Sequence, residues 1–192
     1  MRQNVSDVLT LDDVRLGGKV VLYRVDVNSP LEPSTGAFLD DSRLRSIVPT
    51  LNSLKNSKVI MIGHQSRPGK IDFTDMSQHA DRISRLIGKK VNFVADICGD
   101  KAIEAISNLK IGEILFLDNI RMHDDENSMK KSSPEETAGS EIIQKLAPLI
   151  DAYVTDAFAA AHRNSPSLTG FSEVVPCIAG RLMAKEIDNL QI

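Results

Sequence analysis

The sequence predicts an α/β fold in which a doubly wound parallel sheet carries helices on both faces. Two observations support this expectation. Short runs rich in β-branched residues alternate with longer segments of helical periodicity along most of the chain. These runs are apolar at nearly consecutive positions, which is typical of strands covered on both faces. Right-handed crossovers then join the strands, and the result is a three-layer sandwich of the Rossmann type.

Five runs predict the strands of this sheet, and each contains several consecutive apolar side chains. In chain order they cover 19–25, 58–62, 91–94, 113–118 and 151–155.

Helices are predicted between these strands. After the first strand, Ser42 can cap a helix whose apolar positions from Leu44 to Leu54 follow 3.6-residue spacing. Pro49 lies inside that pattern and is expected to kink the helix, because it removes a backbone donor. Further helices are predicted over 76–87, 100–109 and 134–149, a surface loop over 123–136, and a final helix over 179–192.

Composition narrows the class of protein. The chain has 192 residues, with 23 Lys plus Arg against 26 Asp plus Glu and a net charge of -3. This balance excludes a general nucleic-acid coat or a polybasic membrane anchor. Cys98 and Cys177 stand far apart without a CxxC motif, so we expect two buried, reduced thiols, and no apolar run approaches about 18 residues. We therefore expect a cytoplasmic protein without nucleic-acid or membrane partners.

Basic side chains follow four of the five predicted strands. Asp26 and Asn28 follow the first strand, and Arg43 opens the next helix. In an open parallel sheet, ligands bind beyond the carboxyl ends of the strands, so these groups should share one edge. We expect one basic pocket for an anion, formed by Arg43, His64, Arg67, Arg121 and Arg163.

The alternative for each arginine is a solvated surface charge or a structural ion pair with a nearby aspartate. Arg24, inside the first strand, favours a buried structural pair over ligand contact. His123 and His162 either line the pocket or act structurally, and the pattern favours a structural role for both.

Several well-known site motifs do not occur in the sequence. No GxxxxGK[ST] or GxGxxG follows a strand, and there is no GxSxG or HExxH. The sequence therefore predicts an anionic substrate, with no nucleotide fingerprint and no metal site.

Five motifs, in order and over nearly the whole chain, resemble the N-terminal, 3-phosphoglycerate-binding domain of the phosphoglycerate kinase family. They are VVLYRVDVNSPL (20–31), DDSRLRSIVPTL (40–51), GHQSRPG (63–69), LDNIRMH (117–123) and DAYVTDAFAAAHR (151–163). Two departures, HQSRP where the family often has HLGRP and the lack of a second histidine after Arg163, look similar to archaeal members.

The resemblance implies a role for each matching residue. Asp26 and Asn28 would hold the hydroxyl and neighbouring oxygens of 3-phosphoglycerate, and Arg43 would lie by its carboxylate as the catalytic residue. The 3-phosphate would be bound by His64, Arg67, Arg121 and Arg163.

The resemblance also implies one domain of a two-domain enzyme that reversibly transfers a phosphoryl group between ATP and 3-phosphoglycerate, giving ADP and 1,3-bisphosphoglycerate. Residues 1–178 would form the substrate domain and 179–192 the start of an interdomain helix. A C-terminal domain, which would hold Mg-ATP or Mg-ADP, is expected to be missing from this chain. We expect a monomer that is inactive alone; the alternatives are a non-catalytic phosphometabolite-binding module and a structural domain.

Overall fold

The computed structural model describes residues 8–160 and 163–190, and these form a six-stranded, entirely parallel sheet. The strand order is β3-β4-β2-β1-β5-β6. The strands are Val20–Arg24 (β1), Lys58–Ile62 (β2), Val91–Phe93 (β3), Ile114–Phe116 (β4), Ala152–Thr155 (β5) and Cys177–Ala179 (β6). The predicted fold class and all five predicted strands are confirmed. β6 was missed, and its first residue, Cys177, is exposed instead of forming the buried thiol that was expected.

Eight α-helices in the described part of the chain connect and flank the strands. They are Ser42–Ser46 (α1), Val48–Ser53 (α2), Ser77–Ile87 (α3), Asp100–Ser107 (α4), Asp124–Ser128 (α5), Pro134–Ala138 (α6), Glu141–Leu146 (α7) and Arg181–Asn189 (α8). Short 3₁₀ turns cover Ile120–Met122, Ala147–Leu149, Phe158–Ala160 and Phe171–Glu173, and a π-helical turn covers Pro166–Gly170. Within the described residues, no helix has both the length and the apolar character needed to cross a membrane.

Three helical predictions needed adjustment. The first helix breaks at Ile47, and Pro49 lies in the first turn of α2, so the expected kink is a full interruption. The helix predicted over 134–149 is wrong as a single element: Ser140 begins a new helix by accepting a hydrogen bond from Ile143. The loop predicted over 123–136 contains α5, and the final helix begins at Arg181 instead of residue 179.

The hydrophobic core has two layers, one on each face of the sheet. Successive side chains of a strand point to opposite faces. Val21 and Tyr23 of β1 therefore pack with α1, α2 and α3, whereas Leu22 packs on the other face with α4 and α7. Both layers are needed because the central strands are buried on each side.

The order of the strands determines where a ligand site can form. The chain leaves β1 towards β2 on one side and leaves β5 towards β6 on the other, and β1 and β5 are neighbours. The connections diverge at this point, which opens a crevice beyond the carboxyl ends of the strands.

Asp156, the first residue after β5, anchors the start of α8. Its side chain is fully buried and accepts hydrogen bonds from the Tyr23 hydroxyl (2.5 Å), the Thr50 hydroxyl (2.6 Å) and the backbone N–H of Met183 (2.9 Å). Burial, and then the negative charge of Asp156, raises the pKa of Tyr23. The carboxylate thus caps α8 and ties it to β1 and α2.

The close fit at this anchor predicts that Gly180→Ala destabilises the fold. A Cβ at Gly180 would lie 2.2 Å from an Asp156 oxygen, so the carboxylate must shift from its donors. We expect a loss of about 1–3 kcal/mol in the free energy of unfolding, measured by urea denaturation. Gly17→Ala is the matched control, because no atom lies within 4 Å of its added Cβ. Equal stability of the two variants would contradict this account of the anchor.

Candidate anion-binding site

A cavity of about 510 Å³ lies at the carboxyl edge of the sheet, where the crevice is expected. Its basic lining comes from the ends of four strands, β1, β2, β4 and β5. The lining residues are Arg24, His64, Arg67, Arg121, Glu126, Lys130, Ala160, Arg163, Asn164, Ser165 and Leu168. Four of the predicted site residues, His64, Arg67, Arg121 and Arg163, are therefore brought together in one cavity.

His64 acts as a neutral hydrogen-bond donor in this cavity. Its Nδ1 lies 3.2 Å from Nη2 of Arg24. A guanidinium only donates, so Nδ1 accepts and Nε2 carries the proton. Burial, and then the positive charges of Arg24, Arg121 and Arg163, lower the pKa of His64 to about 2. The ring offers an N–H to an anion without adding another positive charge.

The positive charge of Arg121 lies among other positive charges. Burial, and then the charge of Arg163, lowers the pKa of the half-buried Arg121 guanidinium. Its Nη1 donates to the backbone carbonyl of Ser66, which provides a fixed acceptor. Like charges that line one cavity repel one another, and a multiply charged anion would relieve that repulsion.

The loop between His64 and Arg67 contains one residue with an unusual backbone conformation. Ser66 adopts a left-handed backbone conformation with φ 57°, the one positive φ among the described residues other than glycine. Its N–H donates to Oδ1 of Asn28 (2.7 Å), and its hydroxyl donates to Asp72 (2.6 Å). Because the carbonyl also accepts from Arg121, every polar group of Ser66 is held, and this offsets the backbone strain.

Gln65 joins the same loop to the segment after β1. Its amide accepts from the N–H of Ser29 (3.1 Å) and donates to the carbonyl of Ser29 (2.9 Å). His79 of α3 lies 3.1 Å from the same amide oxygen, and burial lowers its pKa to about 4. Gln65 and His79 are both fully buried, so this departure from the usual HLGRP pattern is a structural link between two site loops.

The remaining predicted residues lie outside the lining of the cavity. Asp26 accepts from Nη1 of Arg43 at 2.6 Å, and about half of the Arg43 side chain is exposed. Asn28 supports the Ser66 turn through its carbonyl oxygen. Arg43 is near enough for its charge to contribute to the lowered pKa of His64. The predicted site is thus divided into a basic cavity and a neighbouring Asp26–Arg43 pair.

Three charged residues of the cavity, Arg24, Glu126 and Lys130, were not identified as part of it by sequence reasoning. Arg24 is buried as expected, but its partners are the Ser167 hydroxyl, the Val25 carbonyl and His64, and it has no carboxylate partner among the described residues. Glu126 is buried and is the one carboxylate in the lining. The position of Arg24 inside an apolar strand could have indicated a role in the site. Glu126 lies in a run of charged residues, where nothing in the sequence distinguishes it from its neighbours.

His123 has a structural role, as the sequence favoured. Its Nδ1 accepts from the N–H of Asp125 at the start of α5 (3.3 Å). One potential ligand atom each of Cys98, His123 and Glu141 lies within 4.8 Å of the other two, a spacing that metal ligands also show. Two contacts argue against metal binding here. Nε2 of His123 carries the proton when Nδ1 accepts, and Glu141 is already paired with Lys145 at 2.5 Å. His162 lies outside the described residues.

A second large groove, of about 620 Å³, lies between α1 and α3. Its lining holds three aspartates, Asp40, Asp41 and Asp81, against three arginines, Arg45, Arg82 and Arg85, and Asp41 accepts from both Arg45 and Arg82. It therefore lacks the excess of positive charge that distinguishes the basic cavity.

A family model described as phosphoglycerate kinase matches residues 11–192. The chain belongs to the phosphoglycerate kinase family. It is 47% identical over 184 residues to the phosphoglycerate kinase of Methanothermobacter thermautotrophicus, covering 95% of this chain and 44% of that protein. It is also 45% identical over 183 residues to the enzyme of Methanobacterium bryantii, covering 94% of this chain and 44% of that one.

Solved structures agree with the family assignment. The crystal structure of phosphoglycerate kinase from Pyrococcus horikoshii superposes with a TM-score of 0.91 at 38% identity, covering 96% of this chain and 45% of that one. The enzyme of Coxiella burnetii shares the fold, with a TM-score of 0.76 at 24% identity over 96% of this chain and 44% of its own. This phosphoglycerate kinase family chain thus spans less than half the length of these relatives.

The two buried, neutral histidines predict a pH dependence of stability. In the unfolded chain His64 and His79 titrate near about 6.5, whereas in the fold their pKa values are lowered to about 2 and about 4. The unfolded state therefore binds more protons below about pH 6.5, and the free energy of unfolding falls as the pH drops.

We expect each histidine to contribute up to about 1.4 kcal/mol per pH unit to this fall, measured by urea denaturation between about pH 7 and 4. The His64→Gln variant should show a shallower slope than the wild type. An unchanged slope, or His64 ring resonances that titrate near about pH 6.5 in NMR spectra, would show that His64 is not held neutral.

Proposed function

We propose that this chain is the 3-phosphoglycerate-binding domain of a phosphoglycerate kinase. The observation that carries the proposal is the convergence of His64, Arg67, Arg121 and Arg163 on one cavity at the carboxyl edge of the sheet. A phosphate dianion matches this set, because guanidinium groups bind its oxygens through paired donors and the neutral His64 adds a further N–H.

The arrangement also suits the other end of the same substrate. 3-Phosphoglycerate carries a phosphate at one end, a carboxylate at the other and a hydroxyl between them. With the phosphate in the basic cavity, Arg43 would face the carboxylate, and Asp26 and Asn28 would bind the hydroxyl and its neighbours. The Asp26–Arg43 pair at 2.6 Å supports this, since it fixes both side chains beside the cavity.

The whole enzyme would transfer a phosphoryl group between ATP and the substrate carboxylate, giving ADP and 1,3-bisphosphoglycerate. Such transfer depends on positioning and on stabilising negative charge, and Arg43 would do both as the catalytic residue. The basic cavity does not fit Mg²⁺: its lining is cationic or neutral apart from Glu126, whose carboxylate already accepts three hydrogen bonds. We assign the nucleotide and its metal to a further domain of the whole enzyme.

The domain organisation follows from the same proposal. Residues 1–178 would be the substrate domain, and 179–192 the start of the connection to a nucleotide-binding domain. The anchoring of α8 by Asp156 supports a continuous connection, because the helix is held at the carboxyl edge of the sheet.

Titration of the 192-residue chain with 3-phosphoglycerate, by calorimetry or NMR, tests the proposal. We expect weak binding, in the millimolar range, that falls roughly tenfold or more in Arg67→Ala plus Arg121→Ala, since charge-assisted bonds to phosphate are lost. Arg45→Ala is the matched control, because Arg45 lies on α1, pairs with Asp41 and does not line the cavity. No binding by the wild type, or equal loss in the control, would refute the assignment of the site.

An activity assay separates the domain from the whole enzyme. We expect no ATP-dependent phosphorylation of 3-phosphoglycerate by this chain in a coupled assay, because the proposal assigns nucleotide binding to a further domain. Turnover by the 192-residue chain would overturn that assignment.

A further inference from the structure

Glu126 occupies an unusual position for a carboxylate, because it is buried among the basic residues of the cavity. It lies on α5, and only 3% of its surface is exposed. It accepts three hydrogen bonds from the segment after Arg163: from the Ser165 hydroxyl (2.8 Å), the Ser167 N–H (2.9 Å) and the Ser167 hydroxyl (2.6 Å). The carboxylate therefore holds this segment against α5.

Ser167 connects Glu126 to the strand beneath the cavity. Its hydroxyl oxygen accepts from Nε of Arg24 (3.1 Å), and its carbonyl accepts from the Tyr153 hydroxyl (2.7 Å). Arg24 in turn donates from Nη2 to Nδ1 of His64. Glu126, Ser167, Arg24 and His64 thus form one continuous chain of hydrogen bonds that is buried along its length.

The carboxylate of Glu126 and the guanidinium of Arg24 together determine the direction of every hydrogen bond in this chain. An ionised carboxylate only accepts and a guanidinium only donates. The single proton of the Ser167 hydroxyl must therefore go to Glu126, which leaves an oxygen lone pair for Arg24. Nδ1 of His64 must then accept from Arg24, so the proton of the ring stays on Nε2.

We propose that Glu126 is a positioning residue for the anion cavity: acting through Ser167 and Arg24, it holds His64 in the form that donates from Nε2. The inference rests on the proposed function, in which His64 donates to a phosphate group. Without the carboxylate, the Ser167 hydroxyl has no fixed acceptor and is free to rotate, so its oxygen lone pair is no longer held towards Nε of Arg24, the contact that helps to orient the guanidinium towards His64. The NH₂ of a glutamine in this place would meet the N–H or the hydroxyl of Ser167, both of which need an acceptor.

The test compares Glu126→Gln and Ser167→Ala with the wild type in the full 192-residue chain. The first readout is the ¹⁵N resonance of Nδ1 of His64 in the absence of ligand near neutral pH. The second is the affinity for sulfate, a stable dianion, measured by calorimetry. Thr137→Ala is the matched control, because it removes a buried hydroxyl that contacts Thr169 of the same segment but does not touch Arg24.

We expect the Nδ1 resonance of His64 to shift in both relay variants and sulfate affinity to fall roughly three- to tenfold, the effect of one misplaced donor. Thr137→Ala should leave both readouts unchanged. Should Glu126→Gln fail to fold in thermal melts, Ser167→Ala decides alone, since it breaks the same chain of bonds.

An unmoved His64 resonance in the relay variants would overturn the inference, as would an equal loss of sulfate affinity in Thr137→Ala. The NMR readout does not depend on the identity of the substrate. Failure of the wild type to bind 3-phosphoglycerate, with the His64 shift still present, would therefore reject the proposed function and leave the positioning role intact.

Discussion

Repulsion between like charges is the constraint around which the carboxyl edge of the sheet is built. Arg24, Arg121 and Arg163 all act on His64, and together with burial they lower its pKa to about 2. The fold limits the cost by keeping His64 neutral and by giving the guanidinium groups fixed acceptors, such as the carbonyls of Val25 and Ser66. These acceptors are dipoles and neutralise no charge, so an anion is still favoured in the cavity.

The same constraint requires that the loops of the site be held in place. Side chains of like charge move apart unless the backbone that carries them is fixed, and the hydrogen bonds of Ser66 and Gln65 fix it here. Ser66 keeps its left-handed conformation because Asn28, Arg121 and Asp72 bind its three polar groups. Gln65 joins the neighbouring loop by a two-way amide contact. The charged side chains of the site are thus preorganised by hydrogen bonds within and between the loops that carry them.

Sequence reasoning recovered five of the six strands and four lining residues of the cavity, because both follow from local pattern. A run of apolar residues in the sequence marks a buried strand directly. Parallel strands then bring the residues that follow them to the same edge of the sheet. It failed where a contact joins distant segments: Glu126 meets Ser167 across 41 positions, and nothing in a charged run marks the one carboxylate that becomes buried. It also failed at Gly139 and Ser140, where a cap ended one helix and began another within a continuous apolar period.

Strand alternation in β1 separates the binding site from the anchor of the last helix. Tyr23 and Arg24 are neighbours, yet their side chains point to opposite faces. Tyr23 donates to Asp156, which caps α8, and Arg24 donates to Ser167 and His64 beneath the cavity. A buried negative charge and a buried positive charge therefore lie on opposite faces of one strand. Asp156 accepts from two hydroxyls and a backbone N–H, whereas Arg24 donates to a hydroxyl, a carbonyl and Nδ1 of His64. Because the two sets of partners do not overlap, one short strand supports both the cavity and the cap of α8.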